Sequence, residues 1–254
     1  MSDEATRLYG LTAVPADQSA QKASTPNPKP VAISALKPPS TALAARVDEY
    51  VRSKLDADTY RHSLRVYSYG CAIARECFPE FGLTAGSELD ETWFLTAMLH
   101  DIGTTAENLT STRLSYEFWA GYHALALLQD PTVTGGSTGA VAPRDQAESV
   151  AEAIIRHQDV QDKGQITLVT RLIHWGTLLD NIGAGAELIH TETIQSVVKE
   201  YPRPGWSGCF QRTVEKEKSV KPYAMVSRIE GFEEAIRKNG DGSAGGLMAK
   251  YDGE

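Results

Sequence analysis

Thr96-Ala97-Met98-Leu99-His100-Asp101-Ile102-Gly103-Thr104-Thr105, TAMLHDIGTT in one-letter form, is the stretch on which the fold turns. The apolar run ahead of His100 predicts a buried helix, and Gly103 just behind Asp101 predicts its end. An imidazole beside a carboxylate at a rigid, dry helix end is a mixed nitrogen–oxygen donor pair for a divalent ion such as Zn2+ or Fe2+. One His-Asp dipeptide is a weak signal alone. His62 in YRHSLRVY and Asp180 in TLLDNIG strengthen it, because each lies on an apolar helical run of its own. His62, His100, Asp101 and Asp180 together complete a nitrogen–oxygen ligand shell of four.

Outward from this stretch, helical periodicity is almost continuous over residues 41–239. Leu43, Val47, Tyr50, Val51 and Leu55 form a stripe behind a Ser40/Thr41 cap. Asp58 or Thr59 then caps a helix with His62 in its first turn, and Pro79 ends it. Further helices are predicted from Ser87 to Asp101, over 115–128, over 144–157 and over 166–180. Three more follow at 191–200, 206–218 and 225–239, while VTGGSTGAVAP over 133–143 reads as a surface loop. No alternating apolar run of useful length predicts a strand. The fold class is therefore all-α, a compact helical bundle. Residues 1–40 hold Pro26, Pro28, Pro30, Pro38 and Pro39 and read as an extended arm whose first piece, LYGLTAVP, docks on the body. Residues 240–254 are Gly-rich and are expected to fray.

Composition narrows the function. A chain of 254 residues with 41% hydrophobic content can bury a sizeable core. A net charge of −8 without a Lys/Arg cluster argues against nucleic acid and anionic membrane surfaces as partners. Cys71, Cys77 and Cys209 fit neither a zinc knuckle nor a disulfide framework and read as reduced core residues. With no apolar leader and no run long enough to span a bilayer, the expected location is cytoplasmic.

Each candidate has a plainer reading beside it. A lone histidine such as His62 on an apolar helix face is more often a satisfied core residue than a ligand; the company of His100, Asp101 and Asp180 reverses that. A carboxylate at a helix C-terminus, as at Asp101, opposes the helix dipole unless a cation stands nearby. Asp180 has capping as its plain role. His157 in AEAIIRHQD is either a helix-end histidine or an active-site base in an apolar setting made by Ile154 and Ile155. Glu117 lies among Tyr116, Phe118 and Trp119, where burial would raise its pKa; a solvated helix face is the bland alternative. Thr104 follows the metal pair closely enough to meet a substrate. His123, His174 and His190 lack such company and read as structural.

The order His…His-Asp…Asp resembles the ligand pattern of the HD-domain metalloenzymes. The segments RHSLRVY, LHDIGTT, LSYEFWAGYHA, VAEAIIRHQD and TLLDNIGAGAELIH are similar to those of the fungal cyanamide hydratases of that superfamily, as are YGLTAVP near the start and YPRPGWSGCF…EKEKSVKPY near the end. The likeness implies an HD-type helical domain over 41–239 and a zinc-dependent lyase that converts cyanamide to urea. It also implies a small-molecule substrate, a homo-oligomer, and Zn2+ as the ion, with Fe2+ or another divalent metal as the alternative. It maps the metal ligands onto His62, His100, Asp101 and Asp180 and places His157 at the active site; Glu117 is the second catalytic candidate on the strength of its own aromatic setting. Thr104, Phe118 and Trp119 are expected to line the substrate site. The longer VTGGSTGAVAP loop and the Gly-rich end depart from the family, which bears on oligomer contacts rather than chemistry.

The expected chemistry is metal-activated hydroxide attack on the nitrile carbon, since a bound ion lowers the pKa of water from ~15.7 to near 7. A phosphohydrolase acting on nucleotides is the competing reading. It needs a basic side chain at the metal, for which Arg61, Arg65 and Arg113 are available. A metal-stabilised binding module without catalysis is a third.

Overall fold

The computed structural model describes residues 3–134 and 139–253. Its helices are α1 (Asp3–Leu8), α2 (Ala42–Lys54), α3 (Ala57–Cys77), α4 (Glu88–Leu99), α5 (Ala106–Ser111), α6 (Tyr116–Gln129), α7 (Arg144–Ile155), α8 (Leu168–Ile182), α9 (Thr191–Glu200), α10 (Trp206–Val220), α11 (Phe232–Asn239) and α12 (Ala249–Asp252). The bundle is all-α apart from one short antiparallel ladder, in which β1 (Ala13–Pro15) pairs with β2 (Gln165–Thr167).

Helix α3 runs through the centre, buried along most of its length, and packs on α4, α8 and α9. It begins earlier than its sequence suggests. The cap is Asp56, not Asp58 or Thr59, because the Asp56 carboxylate accepts from the amides of Asp58 and Thr59 at 3.0 and 2.8 Å. His62 therefore lies in the second turn rather than the first. Helices α6 and α7 pair with each other, and α7 also packs on α4 and α8. One large apolar cluster unites α2, α3, α4, α6, α7, α8 and α9. A second, smaller one is separate from it: Trp206, Phe210, Val214, Ala224, Val226, Phe232 and Ile236, contributed by α10, α11 and the segment between them.

That segment departs from the helix expected over 225–239. A short 3-10 turn, Met225–Arg228, stops, and α11 starts afresh after Gly231. Gly231 holds φ +68, a left-handed conformation that an L side chain resists, so one continuous helix cannot pass through it.

The arm is extended, and it is fastened to the body. Arg171 Nη2 donates to the carbonyls of Pro15 and Ala16 at 2.6 and 2.7 Å, and Leu36 is fully buried. Residues 240–254 are packed rather than frayed. Met248 is fully buried, and its amide and carbonyl engage Asn239 and Arg203. Polar side-chain anchors fix this segment, so no apolar periodicity announces it. Of the loop over 133–143, residues 135–138 lie outside the described residues. Ala140 and Ala142 beyond them bond to Arg46 and Leu128. Cys71, Cys77 and Cys209 are free thiols, the first two buried. No helix among the described residues is long and apolar enough to cross a membrane.

Candidate metal centre

Helix α3 passes and helix α4 ends where His62, His100 and Asp101 meet. His100 caps α4, and the carbonyls of a last helical turn lack intrahelical partners. One of them, Ala97 O, takes the His100 Nδ1–H at 2.8 Å, which leaves Nε2 as a lone pair. His62 is fixed in the same sense from the other side. Its Nδ1–H donates to Asp180 Oδ2 at 2.7 Å, and its Nε2 faces the centre. Asp101, in the turn after α4, places Oδ2 3.2 Å from His100 Nε2 and 3.7 Å from His62 Nε2.

Neither histidine Nε2 and neither Asp101 oxygen has a hydrogen-bond partner, and all three residues are at most 1% exposed. Acceptors facing one another in a dry interior are costly unless a proton or cation stands between them. One proton serves one pair; a divalent cation serves all three groups at once. Their donor atoms lie within 4.8 Å of one another, which suits a single ion. Two imidazoles and a carboxylate with positions left open is also the ligand count of a catalytic rather than a structural zinc site. Electrostatics agree. Burial opposes charge on both His100 and Asp101, but their mutual attraction outweighs it, raising the histidine and holding the carboxyl far below the usual carboxylate range.

Asp180 is not brought into this group. Its carboxylate lies behind His62, and two buried guanidiniums claim it. Arg65 Nε and Nη2 donate to it at 2.9 and 2.8 Å, and Arg203 Nε stands 3.5 Å from Oδ1. Burial opposes its ionisation, yet both arginines and His62 keep it far below the normal carboxylate range. It orients His62 from behind, the arrangement that fixes tautomer and ring direction in many metal sites.

His157 follows the end of α7. Its Nδ1–H donates to Ile154 O at 2.7 Å, so Nε2 accepts, and it does so from the Tyr116 hydroxyl at 3.1 Å. Gln158 Nε2 donates to the same hydroxyl at 2.7 Å. Burial pushes His157 down to about 3, so the ring is neutral. Its Nε2 lies 3.9 Å from Asp101 Oδ1, which joins this polar chain to the cluster. Tyr116 and Gln158 adjoin Glu117 and His157 in the chain, and nothing in the local sequence marks the hydrogen bond between them. Glu117 is buried with both oxygens unpartnered, and burial, helped by Glu217 and Asp101, pushes it up to about 8. From α10, Glu217 accepts the Tyr116 amide at 2.7 Å and so caps α6, while Lys221 stands 3.3 Å away as its counter-charge.

Trp119 stacks on His123 at 4.7 Å, and His123 bonds Tyr50 Oη at 2.6 Å, which ties both to α2. Phe118 is half-buried and, two positions beyond Tyr116, points ~200° round the helix from it. Trp206 of α10 reaches His62 from the other side, stacked on its ring at 4.3 Å with Phe210 behind it. Thr104 closes the His-Asp turn, its hydroxyl donating to Asp101 O at 2.8 Å. His174 and His190 serve structure, the first on Arg156 O and the second as the cap of α9.

Gly103 makes the assembly possible. A Cβ there would collide with the Tyr116 carbonyl oxygen, so only glycine lets the His-Asp turn lie against the start of α6. Gly103→Ala is expected to cost about 1–3 kcal/mol, the usual range for overpacking against groups that cannot retreat. A guanidinium chloride midpoint equal to that of the parent would refute the close contact.

No family model matches the chain. Two proteins of Saccharomyces cerevisiae, named cyanamide hydratase DDI2 and cyanamide hydratase DDI3, are each 35% identical to it over 221 residues, covering 87% of this chain and 92% of the relative.

Proposed function

Because the chain belongs to the cyanamide hydratase family, we propose that it adds water to the nitrile of cyanamide to give urea, as a hydro-lyase working at a zinc centre held by His62, His100 and Asp101. The observation that carries this reading is a set of buried, unpartnered metal donors with no uncommitted basic side chain among them. A divalent ion bound there supplies Lewis-acid polarisation and lowers the pKa of water. The chain's residues supply the rest.

The neutral His157 Nε2 is the only base of the polar chain with a lone pair near Asp101, and it takes the proton released by the attacking water. The Tyr116 hydroxyl, whose Oη accepts from Gln158, then accepts from the new Nε2–H and turns its own proton outward. That proton goes to the nitrile nitrogen as the C–O bond forms and one C–N π bond breaks, and the Nε2–H crosses to the tyrosine oxygen so that both side chains regain their starting forms; if Glu117 gives the proton instead, the one held by His157 restores its carboxyl. The product isourea moves its hydroxyl proton to nitrogen and becomes urea. Water has lost one proton and nitrogen has gained one, so the step is balanced. Trp206 and Phe210 close the site and exclude bulk water. Three non-hydrogen atoms of substrate offer little binding energy, so enclosure and alignment matter more than affinity.

The nucleotide reading is disfavoured by the same geometry. Arg65 is spent on Asp180 and on the carbonyls of Tyr201 and Pro202. Arg61 is spent on Asp58 and Pro202 O, and Arg113 lies at the surface. The zinc-loaded protein should therefore release urea from cyanamide and no phosphate from nucleoside monophosphates. Phosphate release of comparable efficiency would overturn the assignment.

A further inference from the structure

Four polar links tie α12 to the residues that hold His62. Arg203, buried and at the foot of α10, forms an ion pair with Asp252 and donates to Met248 O at 3.3 Å. Its other nitrogen donates to the backbone carbonyl of Asp180 at 3.0 Å. Asn239 spans the same gap, giving a hydrogen bond to Asp180 O at 3.1 Å and receiving the Met248 amide at 3.3 Å. The Asp252 carbonyl accepts the amide of Gly205, the N-cap of α10, at 2.7 Å. The next residue is Trp206, which stacks on His62 and donates to Asn181 Oδ1 at 2.9 Å.

Both supports of His62 thus converge on α12. One is the Asp180 carboxylate on Nδ1; the other is the indole against the ring face. A four-residue helix has no stability of its own, since nucleating a turn costs more than it returns. Yet Met248 is fully buried, Tyr251 is nearly so, and the Asp252 side chain is 10% exposed. An aspartate pulled this far out of water is costly unless paired, and its pairing with Arg203 gives the contact a fixed direction.

We propose that α12 is a strut for the metal centre, with Asp252 a positioning residue that acts through Arg203 on Asp180 and Trp206, and through them on His62. The proposal rests on the reading of His62, His100 and Asp101 as metal ligands. Loss of an outer-shell partner commonly lowers metal affinity about 10–100-fold. Asp252→Asn keeps the volume and removes the charge. It should weaken metal binding about tenfold and perturb the geometry around the ion.

The test uses chelator-stripped full-length protein reloaded with Co2+, whose visible d–d bands report ligand geometry. Affinity is read by chelator competition well below the melting temperature. Leu36→Ala, which hollows the large apolar cluster where the arm enters it and makes none of the polar links above, serves as a control of lowered stability. Expected are weaker Co2+ binding and shifted bands for Asp252→Asn, parental values for Leu36→Ala, and partial recovery for Asp252→Glu. If Asp252→Asn matches the parent in affinity and spectrum, or if Leu36→Ala weakens binding equally, the strut is refuted while the centre stands. If the parent chain takes up no Co2+, the centre itself fails and the strut with it.

Discussion

Alanine at His100 is expected to leave a folded chain that carries no metal and makes no urea. The side chain contributes one of three convergent donors and a single internal hydrogen bond, to Ala97 O. Losing that bond costs about 1–3 kcal/mol. A domain of ordinary stability, ~5–15 kcal/mol, survives it. The ion does not, because His62 and Asp101 alone offer two donors where three are needed to hold it against water. Metal analysis, a circular-dichroism melt and a urea assay on one preparation separate the effects. Full metal content in the variant would remove His100 from the ligand set.

His157→Ala should behave in the opposite way, keeping the metal and losing at least ~10²-fold in rate, the usual scale for a general acid–base residue. The ring is not among the three grouped donors, so the ion has no reason to leave. What disappears is the acceptor to which the Tyr116 hydroxyl points, and with it the path for the proton of the attacking water. Tyr116→Phe tests the second half of the path. It keeps the ring edge on His157 and deletes only the hydroxyl, so its loss of rate should be smaller. Unchanged turnover and an unchanged pH–rate profile in His157→Ala would reduce that histidine to a structural part.

The sequence announced the centre because its donors ride on periodic apolar helices. His100-Asp101 closes the most apolar of them, and the burial of His62 follows from the stripe around it. Glu117 was legible for the same reason. Asp180 was legible as a participant but not in its place, because Arg65 and Arg203 claim its oxygens and Arg203 gives no local sign of that task. Phe118 and Trp119 illustrate a different limit. Neighbours in sequence diverge on a helix, so adjacency to Glu117 does not carry them to the same face. Trp206 reaches His62 from far along the chain, and only the tertiary fold brings the two rings together. α12 was hidden most thoroughly, since four residues in a Gly-rich stretch have no period to read.

The separation of the α10–α11 cluster from the large one bears on how the molecule opens locally. Trp206 and Phe210 belong to the smaller cluster, while the helices that carry His62, His100 and His157 belong to the larger. The boundary between them is crossed by polar links, among them Glu217 to Tyr116, Lys221 to Leu114 and Trp206 to Asn181, as well as by Ile182 packed on the smaller cluster. Parting α10 from the body breaks these links together with the Trp206–His62 stack and the Gly205–Asp252 bond. Partial openings of this kind cost far less than unfolding. The larger cluster therefore sets how hard the chain is to denature, whereas the links of α10 to α6 and α8 set how readily the smaller cluster parts from it.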